Sequence, residues 1–404
     1  MLILKILWSS IPIGNQKEAC EVALKQALVH NNWDRLEEIW LGDVWPAHFY
    51  DNLESRIRDS FYKITEWTKE DLAGIEKKFK EFNVSVIRPI IDENDKSKYL
   101  NSQGKLYKPP ICPRDDIGVV GDTIYHPFEK DEKHLAQCYL PLFDEYEKVV
   151  KSDKNFIFNG ANSVKLGQDI IIDTCTPDVD NHSMFSIYHM HGKLFESWFP
   201  NLRIHLTPNG GHLDGCFMPL RPGTVICNSY WDYYDTLLPG WEKIEIGHPS
   251  AVRHDIRVYP SVGNGRWHLG NEFESYKGLR AFNTYIEEFC PDWVGNFRET
   301  YFEVNIIMID ENNMMCINQN GLHDPLWERF EKMGINVHPV QWRTRNFWDG
   351  GLHCITLDTK RKAVMQDYFP NRGDKKGIVS FISSRFNNST EDFFKEYNDW
   401  LKER

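Results

Sequence analysis

Near its C-terminus the chain reads Gly350-Gly351-Leu352-His353-Cys354-Ile355-Thr356. A thiolate is the strongest ordinary side-chain nucleophile at neutral pH, provided a base or a positive charge lowers its pKa. Two adjacent glycines remove side chains where something must come close to the backbone. The same stretch, taken alone, also fits a buried and inert thiol packed as a small apolar group. A second constellation is His212 and Asp214, two residues apart and preceded by Gly210 and Gly211. In an extended segment both side chains point to one face, where they can move a proton and hold a cation. A turn with a solvated Asp and a hydrogen-bonded His fits that pattern equally well.

Other residues of the right type point to packing instead. His189-Met190-His191 lies in a helix-like stretch, where alternating rings face apart and no Cys or carboxylate completes a metal set. Gly263-Asn264-Gly265-Arg266-Trp267 lacks the Lys-Ser/Thr of a phosphate loop and reads as a plain loop. Tyr230-Trp231-Asp232-Tyr233-Tyr234 can wall a pocket, but ordinary packing is the preferred reading.

These groups need a large, ordered scaffold. The chain has 404 residues, with 41% hydrophobic and 14% aromatic content, which supplies a core and argues against global disorder. The nine cysteines show no Cys-x-x-Cys pairing. That speaks against a disulfide framework or a structural zinc, and suits a reducing, cytoplasmic setting. A formal net charge of −12 disfavours nucleic acid and is compatible with a cationic small substrate, though solubility alone explains it. No run of residues reaches the length needed to span a bilayer, and the Asn387-Asn388-Ser389-Thr390 sequons carry little weight without a secretory signal.

A helix–strand unit recurs along the chain. Thr68 and Asp71 read as a capping box opening a helix with Leu72, Ile75, Phe79 and Phe82 on its apolar face. Asn83 ends it, and Val84 to Pro89 reads as a strand. Asp324-Pro325 starts a second helix bearing Leu326, Trp327, Phe330 and Met333; Gly334 stops it, and Ile335 to Val340 alternates as a strand. A weaker third unit runs from Ser183 to Trp198, breaks at Pro200-Asn201 and continues as a strand from Leu202 to Leu206. A loop rich in polar groups follows each: Pro113-Arg114-Asp115-Asp116, the Cys354 stretch, and Gly210 to Asp214 respectively. Loops at strand ends commonly converge in α/β proteins.

With these pieces assembled, the chain resembles the glycine amidinotransferase family of the guanidino-group-modifying, or pentein, superfamily. The resemblance runs from about Asn31 to beyond Arg361. Its motifs are Asn32-Trp33-Asp34-Arg35-Leu36-Glu37-Glu38-Ile39, Pro113-Arg114-Asp115, Phe158-Asn159-Gly160-Ala161-Asn162 and Leu166-Gly167-Gln168-Asp169-Ile170. They continue with His212-Leu213-Asp214-Gly215-Cys216-Phe217, Arg221-Pro222-Gly223, Val304-Asn305-Ile306 to Glu311, Phe330 to Gly334, and the Cys354 loop with Thr356 and Asp358.

The resemblance implies an α/β fold, a five-bladed propeller of quasi-repeated ββαβ units around a central site. It implies an N-terminal extension over residues 1–28 and a single catalytic domain over 29–404. It assigns Cys354 as nucleophile, His212 as general acid/base and Asp169 as the carboxylate orienting His212. Asp115 and Asp214 match the carboxylates that hold a guanidinium. No metal or organic cofactor is implied. The expected partners are arginine and an amine acceptor, with no nucleic acid and no membrane, and a homodimer as the assembly.

The chain also departs from the family's pattern. Tyr230-Trp231 stands where the family carries a carboxylate-binding arginine, a family serine near Arg298-Glu299 is absent, and the segment from Trp231 to Cys290 is longer. Arg298, Arg343 and Arg345 are the substitutes for that arginine, with Arg298 preferred. Glycine is the default acceptor, and ornithine or another amine is the alternative. A same-superfamily hydrolase using water and a non-catalytic binding protein are the competing classes.

Overall fold

The computed structural model describes residues 23–126, 133–151, 158, 160–173, 194–207, 212–228, 232–245, 284–286, 288–290, 293, 304–317, 325–348 and 350–381. Five small sheets carry the architecture among them. β1 (Leu36–Leu41) runs parallel to β2 (Ser85–Ile87) in the first. β3 (Gly118–Val120), β4 (Thr123–His126) and β5 (Val149–Lys151) form the second. β6 (Ser163–Leu166), β7 (Asp169–Asp173) and β8 (Arg203–Thr207) form the third. β9 (Phe217–Arg221), β10 (Thr224–Cys227) and β11 (Glu242–Glu245) form the fourth. β12 (Ile307–Asp310), β13 (Asn313–Ile317) and β14 (Asn336–Val340) form the fifth. β15 (Thr356–Arg361) returns to β1, and β16 (Gly377–Phe381) adds to the edge of β8.

Every sheet repeats one pairing. A central strand has an antiparallel neighbour on one side and a parallel neighbour on the other, as in β3-β4-β5, where β4 pairs antiparallel with β3 and parallel with β5. The same holds for β6-β7-β8, β9-β10-β11 and β12-β13-β14. The antiparallel pair can close through a tight turn, whereas the parallel pair needs a crossover. Gly121, Gly167 and Gly223 make three of those turns at φ of 60°, 67° and 84°, a region that favours glycine. In the first sheet the antiparallel partner of β1 is β15, so one sheet joins the first described strand to the last but one. Among the described residues this recurring pairing matches the strand order of the ββαβ unit expected from the resemblance.

The crossover between β1 and β2 contains α1 (Ser55–Glu81), whose buried positions include Phe61, Ile64, Thr68, Leu72, Ile75 and Phe79 at helical spacing. Burying each Ile, Leu or Phe contributes roughly 1.5–3 kcal/mol. The helix starts at Ser55, so Thr68 and Asp71 are interior residues and do not form a capping box. The Thr68 hydroxyl donates back to the Ile64 carbonyl at 2.7 Å and accepts from Trp348 Nε1 at 2.9 Å. Asp71 accepts from the backbone and guanidinium of Arg343 at 2.7 and 3.0 Å. The apolar stripe already ran back to Phe61; the Thr-x-x-Asp spacing matched a capping box while serving tertiary contacts. Asn83 ends the helix with φ 58°, and Gly334 at φ 79° follows a second helix, Pro325–Lys332, both as expected from sequence.

Residues 25–28 are already tied to the fold: Lys25 N–H donates to the Glu145 carbonyl at 2.7 Å, and Leu28 N–H to Thr359 at 2.9 Å. All seven described cysteines are free thiols. Among the described residues no helix is long and apolar enough to cross a membrane.

Candidate active site

The site collects the segments that enter the first strand of each sheet. Asp115 lies three residues before β3, Ala161 and Asn162 just before β6, His212 and Asp214 before β9, Asn305 before β12, and Cys354 before β15. Contacts join them. Asp214 N–H donates to the Ala161 carbonyl at 3.1 Å, and Ala161 N–H to the Arg114 carbonyl at 3.1 Å. Asn305 Nδ2 reaches Cys354 Sγ at 3.1 Å, and that thiol faces the two Asp214 oxygens at 3.6 and 3.9 Å. One ligand atom each from Asp115, His212 and Cys354 lies within 4.8 Å of the others.

The Cys354 loop is held from behind. Trp342 Nε1 donates to the Gly350 carbonyl at 2.8 Å, and α1 grips residues 343–348 through Thr68 and Asp71. The two glycines are explained by protein neighbours. A Cβ at Gly351 would stand 2.4 Å from Asn305 Oδ1, and one at Gly350 would stand 2.8 Å from Cys112 Sγ. Arg114, fully buried, donates through Nε to the carbonyls of His353 and Thr356, both at 2.9 Å, and through Nη2 to Asp358 at 2.7 Å. Arg361 completes that buried cluster, donating to the other Asp358 oxygen at 2.7 Å.

Electrostatics sort the groups. Burial, then Asp214 and Asp115, pushes the Cys354 thiol well above its ordinary value, so the resting residue is a thiol. Burial would also raise the Asp214 carboxyl, but the hydrogen bond from His353, with the nearby His212 and Arg114, holds it below its ordinary value. Burial and the nearby Arg114 guanidinium lower His353 to about 4, against the pull of Asp214. His353 is therefore neutral and donates through Nδ1 to Asp214 Oδ2 at 2.7 Å. His212 differs: its side chain is 41% exposed, which puts the mouth of the site on its side, and Nδ1 stands 3.6 Å from Asp115 Oδ1.

Of the residues expected from sequence, the structure brings together Cys354, His212, Asp115 and Asp214. Asp169 stands elsewhere. It opens β7 opposite Leu166, at the hairpin-turn end of its sheet, a strand's length from the end that faces Cys354. Its oxygens accept from Arg203 Nη2 at 2.6 Å, Arg372 Nη1 at 2.6 Å and His205 Nε2 at 2.7 Å, so the histidine it orients is His205. The carboxylate beside the His212 ring is Asp115. Arg298 lies outside the described residues, as do Gly210-Gly211, Tyr230-Trp231, His189-His191 and Gly263-Trp267. Arg343 is engaged with Asp71 and Glu70, and Arg345 is buried. Sequence reasoning missed Asn305 and His353 as site residues. The available signal was position, since each immediately precedes the first strand of a sheet, as Asp115 and Asp214 do.

No protein-family profile matches the chain. Over 277 residues it is 24% identical to the mitochondrial glycine amidinotransferase of Xenopus laevis, covering 66% of this chain and 54% of that protein. Over 395 residues it is 22% identical to inosamine-phosphate amidinotransferase 1 of Streptomyces glaucescens, covering 84% of this chain and 98% of that protein. The chain is a homologue of the amidinotransferases. This amidinotransferase homologue spans about half the length of the curated glycine amidinotransferases it matches. Its fold is that of SxtG, an amidinotransferase from Microseira wollei, with a TM-score of 0.59 at 17% identity over 85% of this chain and 99% of that one. The inosamine-phosphate amidinotransferase StrB1 of Streptomyces griseus gives a TM-score of 0.56 at 19% identity, with 85% and 99% covered.

Proposed function

We propose that this protein is an amidinotransferase that moves the amidino group of arginine, through a covalent intermediate on Cys354, to a small primary amine. One observation carries the reading: a single thiol faced by two carboxylates, Asp214 and Asp115, with the His212 ring beside them. A planar guanidinium is the cation that such a pair holds by charge-assisted hydrogen bonds, with its carbon set near the sulfur. We propose further that the five sheets stand as blades around this site, within one domain over residues 29–404, and that the compartment is reducing.

The chemistry follows from the electrostatics. Before substrate binds, burial and the two carboxylates keep Cys354 protonated. A bound guanidinium offsets their charge, which favours the thiolate. The sulfur attacks the guanidinium carbon, and its proton passes to His212. The bond from that carbon to the ornithine nitrogen breaks, and His212 returns the proton to the departing amine. Cys354 now carries an amidino-thioether. The incoming neutral amine attacks the same carbon, loses a proton to His212, and the carbon–sulfur bond breaks. The proton returns to sulfur, so atoms and charge balance over the ping-pong cycle. Neutral His353 keeps Asp214 in place throughout.

Glycine is the default acceptor, giving guanidinoacetate and ornithine. The relatives' names include both glycine and inosamine-phosphate amidinotransferases, so the acceptor varies among them. The test is intact mass after exposure to arginine. Cys354 should gain an amidino group and release ornithine, while Cys354→Ala should do neither; absence of both from the unmodified protein would end the reading. A screen of glycine, ornithine and an inosamine phosphate then names the acceptor. Citrulline and ammonia formed without any amine would assign the hydrolase instead.

A further inference from the structure

We propose that Asn305 is a catalytic residue, whose side-chain amide is the donor that holds the Cys354 sulfur as a thiolate. The amide is wired at every position. Its Oδ1 accepts the backbone N–H groups of His353 at 2.7 Å and Cys354 at 3.1 Å. Its Nδ2 lies 3.1 Å from Cys354 Sγ and 3.5 Å from the Asp214 carbonyl. An amide has two donor hydrogens and one acceptor oxygen with two lone pairs, and all four are used here. The orientation is therefore determined by the partners. Turning the group over would set the NH2 against two backbone N–H groups and the oxygen against the sulfur.

The neighbours keep it there. Val304 and Ile306 on either side are buried in the core, and Gly351 lacks the side chain that would occupy the space of Asn305. Asp214 and Asp115, which also face the sulfur, are acceptors. A thiol can donate to Asp214, but once the proton leaves, sulfur and carboxylate repel. Asn305 Nδ2 is a donor that still favours the ionised form, and it is in place before any proton reaches His212. It is also neutral. A Lys or Arg at this place would support the thiolate but compete with the cationic substrate for Asp115 and Asp214. An amide supports the thiolate and leaves both carboxylates to the guanidinium.

The effect on turnover rests on the amidinotransferase reading, but the sulfur can be tested without it. The experiment is the pH profile of iodoacetamide alkylation of Cys354 in the full chain, read by intact mass, for the unmodified protein, Asn305→Asp and Asn305→Ser. The Asp variant keeps an acceptor for both loop N–H groups, removes the donor to sulfur and adds a negative charge. Its profile should move to higher pH by about one unit, with alkylation near neutrality slowed about tenfold, while circular dichroism and Tm stay near those of the unmodified protein. Asn305→Ser, which loses the donor without adding charge, should move the same way by less. If either folded variant shows the unmodified profile, Asn305 is a loop anchor and the proposal is overturned. If the unmodified protein is alkylated but takes no amidino group from arginine, the functional reading fails, while shifted profiles of the two variants still assign Asn305 Nδ2 as the donor to the sulfur.

Discussion

His353 Nδ1 stands 2.7 Å from Asp214 Oδ2, so the residue next to the candidate nucleophile holds the carboxylate that faces it. In the proposed mechanism chain neighbours thus carry two jobs: Cys354 is the nucleophile, and His353 aims its electrostatic partner. His353 is buried and neutral, and this has a sign in pH. Its folded pKa of about 4 lies below the ordinary 6.5, so as pH falls through that window the unfolded chain takes up a proton first. Stability should decline from about pH 6.5 to about pH 4 on this account. His353→Asn, which keeps an N–H donor near Asp214 but cannot titrate, should flatten that part of a Tm-against-pH curve. An unchanged acid slope would remove His353 from the account.

Asp115 should separate reactivity from binding. It raises the Cys354 thiol alongside burial and Asp214. Asp115→Asn should therefore speed alkylation of Cys354 near neutral pH while reducing kcat/KM for arginine by about 10–100-fold, the loss of a charge-assisted hydrogen bond. Two rates moving in the same direction would contradict the assigned role.

Gly351 sits where Asn305 needs space. An added methyl would meet Asn305 Oδ1 at 2.4 Å and its Cβ at 2.6 Å. Gly351→Ala should destabilise the protein by about 1–3 kcal/mol, the ordinary cost of overpacking, and slow arginine turnover with it. Denaturant unfolding checks the first part; a variant of unmodified stability would mean that the loop relaxes freely.

Lys165 is a buried ammonium in β6 whose Nζ has no hydrogen-bond partner among the described residues. Burial lowers it from 10.5 to about 8; Arg114 and Arg361 act in the same direction, and Asp358 and Asp214 oppose them. With the folded value below the unfolded one, the penalty is present below about pH 8 and relieved as pH rises toward about 10.5. Lys165→Met should be no less stable than the unmodified protein at pH 7, because Asp358 keeps Arg114 and Arg361. It should also lack the gain in stability above pH 8, relative to the unmodified protein, in parallel unfolding titrations. A strongly destabilised Met variant would show that the ammonium supports the core.

The elements with short-range signals were legible in sequence. Asn83 and Gly334 end helices because left-handed φ values suit them, and Pro325 begins one. The glycine–thiol loop and the His212-x-Asp214 pair were candidates by residue type, and the ordered motifs of the resemblance singled them out. What sequence could not decide was pairing across long separations. Thr68 and Asp71 have capping-box spacing, yet they lie inside α1 and clamp a segment more than 270 residues away. Asp169 belongs to a motif of the resemblance, but the register of β6 against β7 sets it at the far end of its sheet, with Arg203, Arg372 and His205. Asn305 carries no reactive group, and it reaches the sulfur because β12 and β15 bring their leading loops together. Sequence alone determined which atoms can react, since nucleophilicity and charge reside in single side chains. Tertiary structure decided which of them meet, since strand register and buried hydrogen bonds join residues that are remote along the chain.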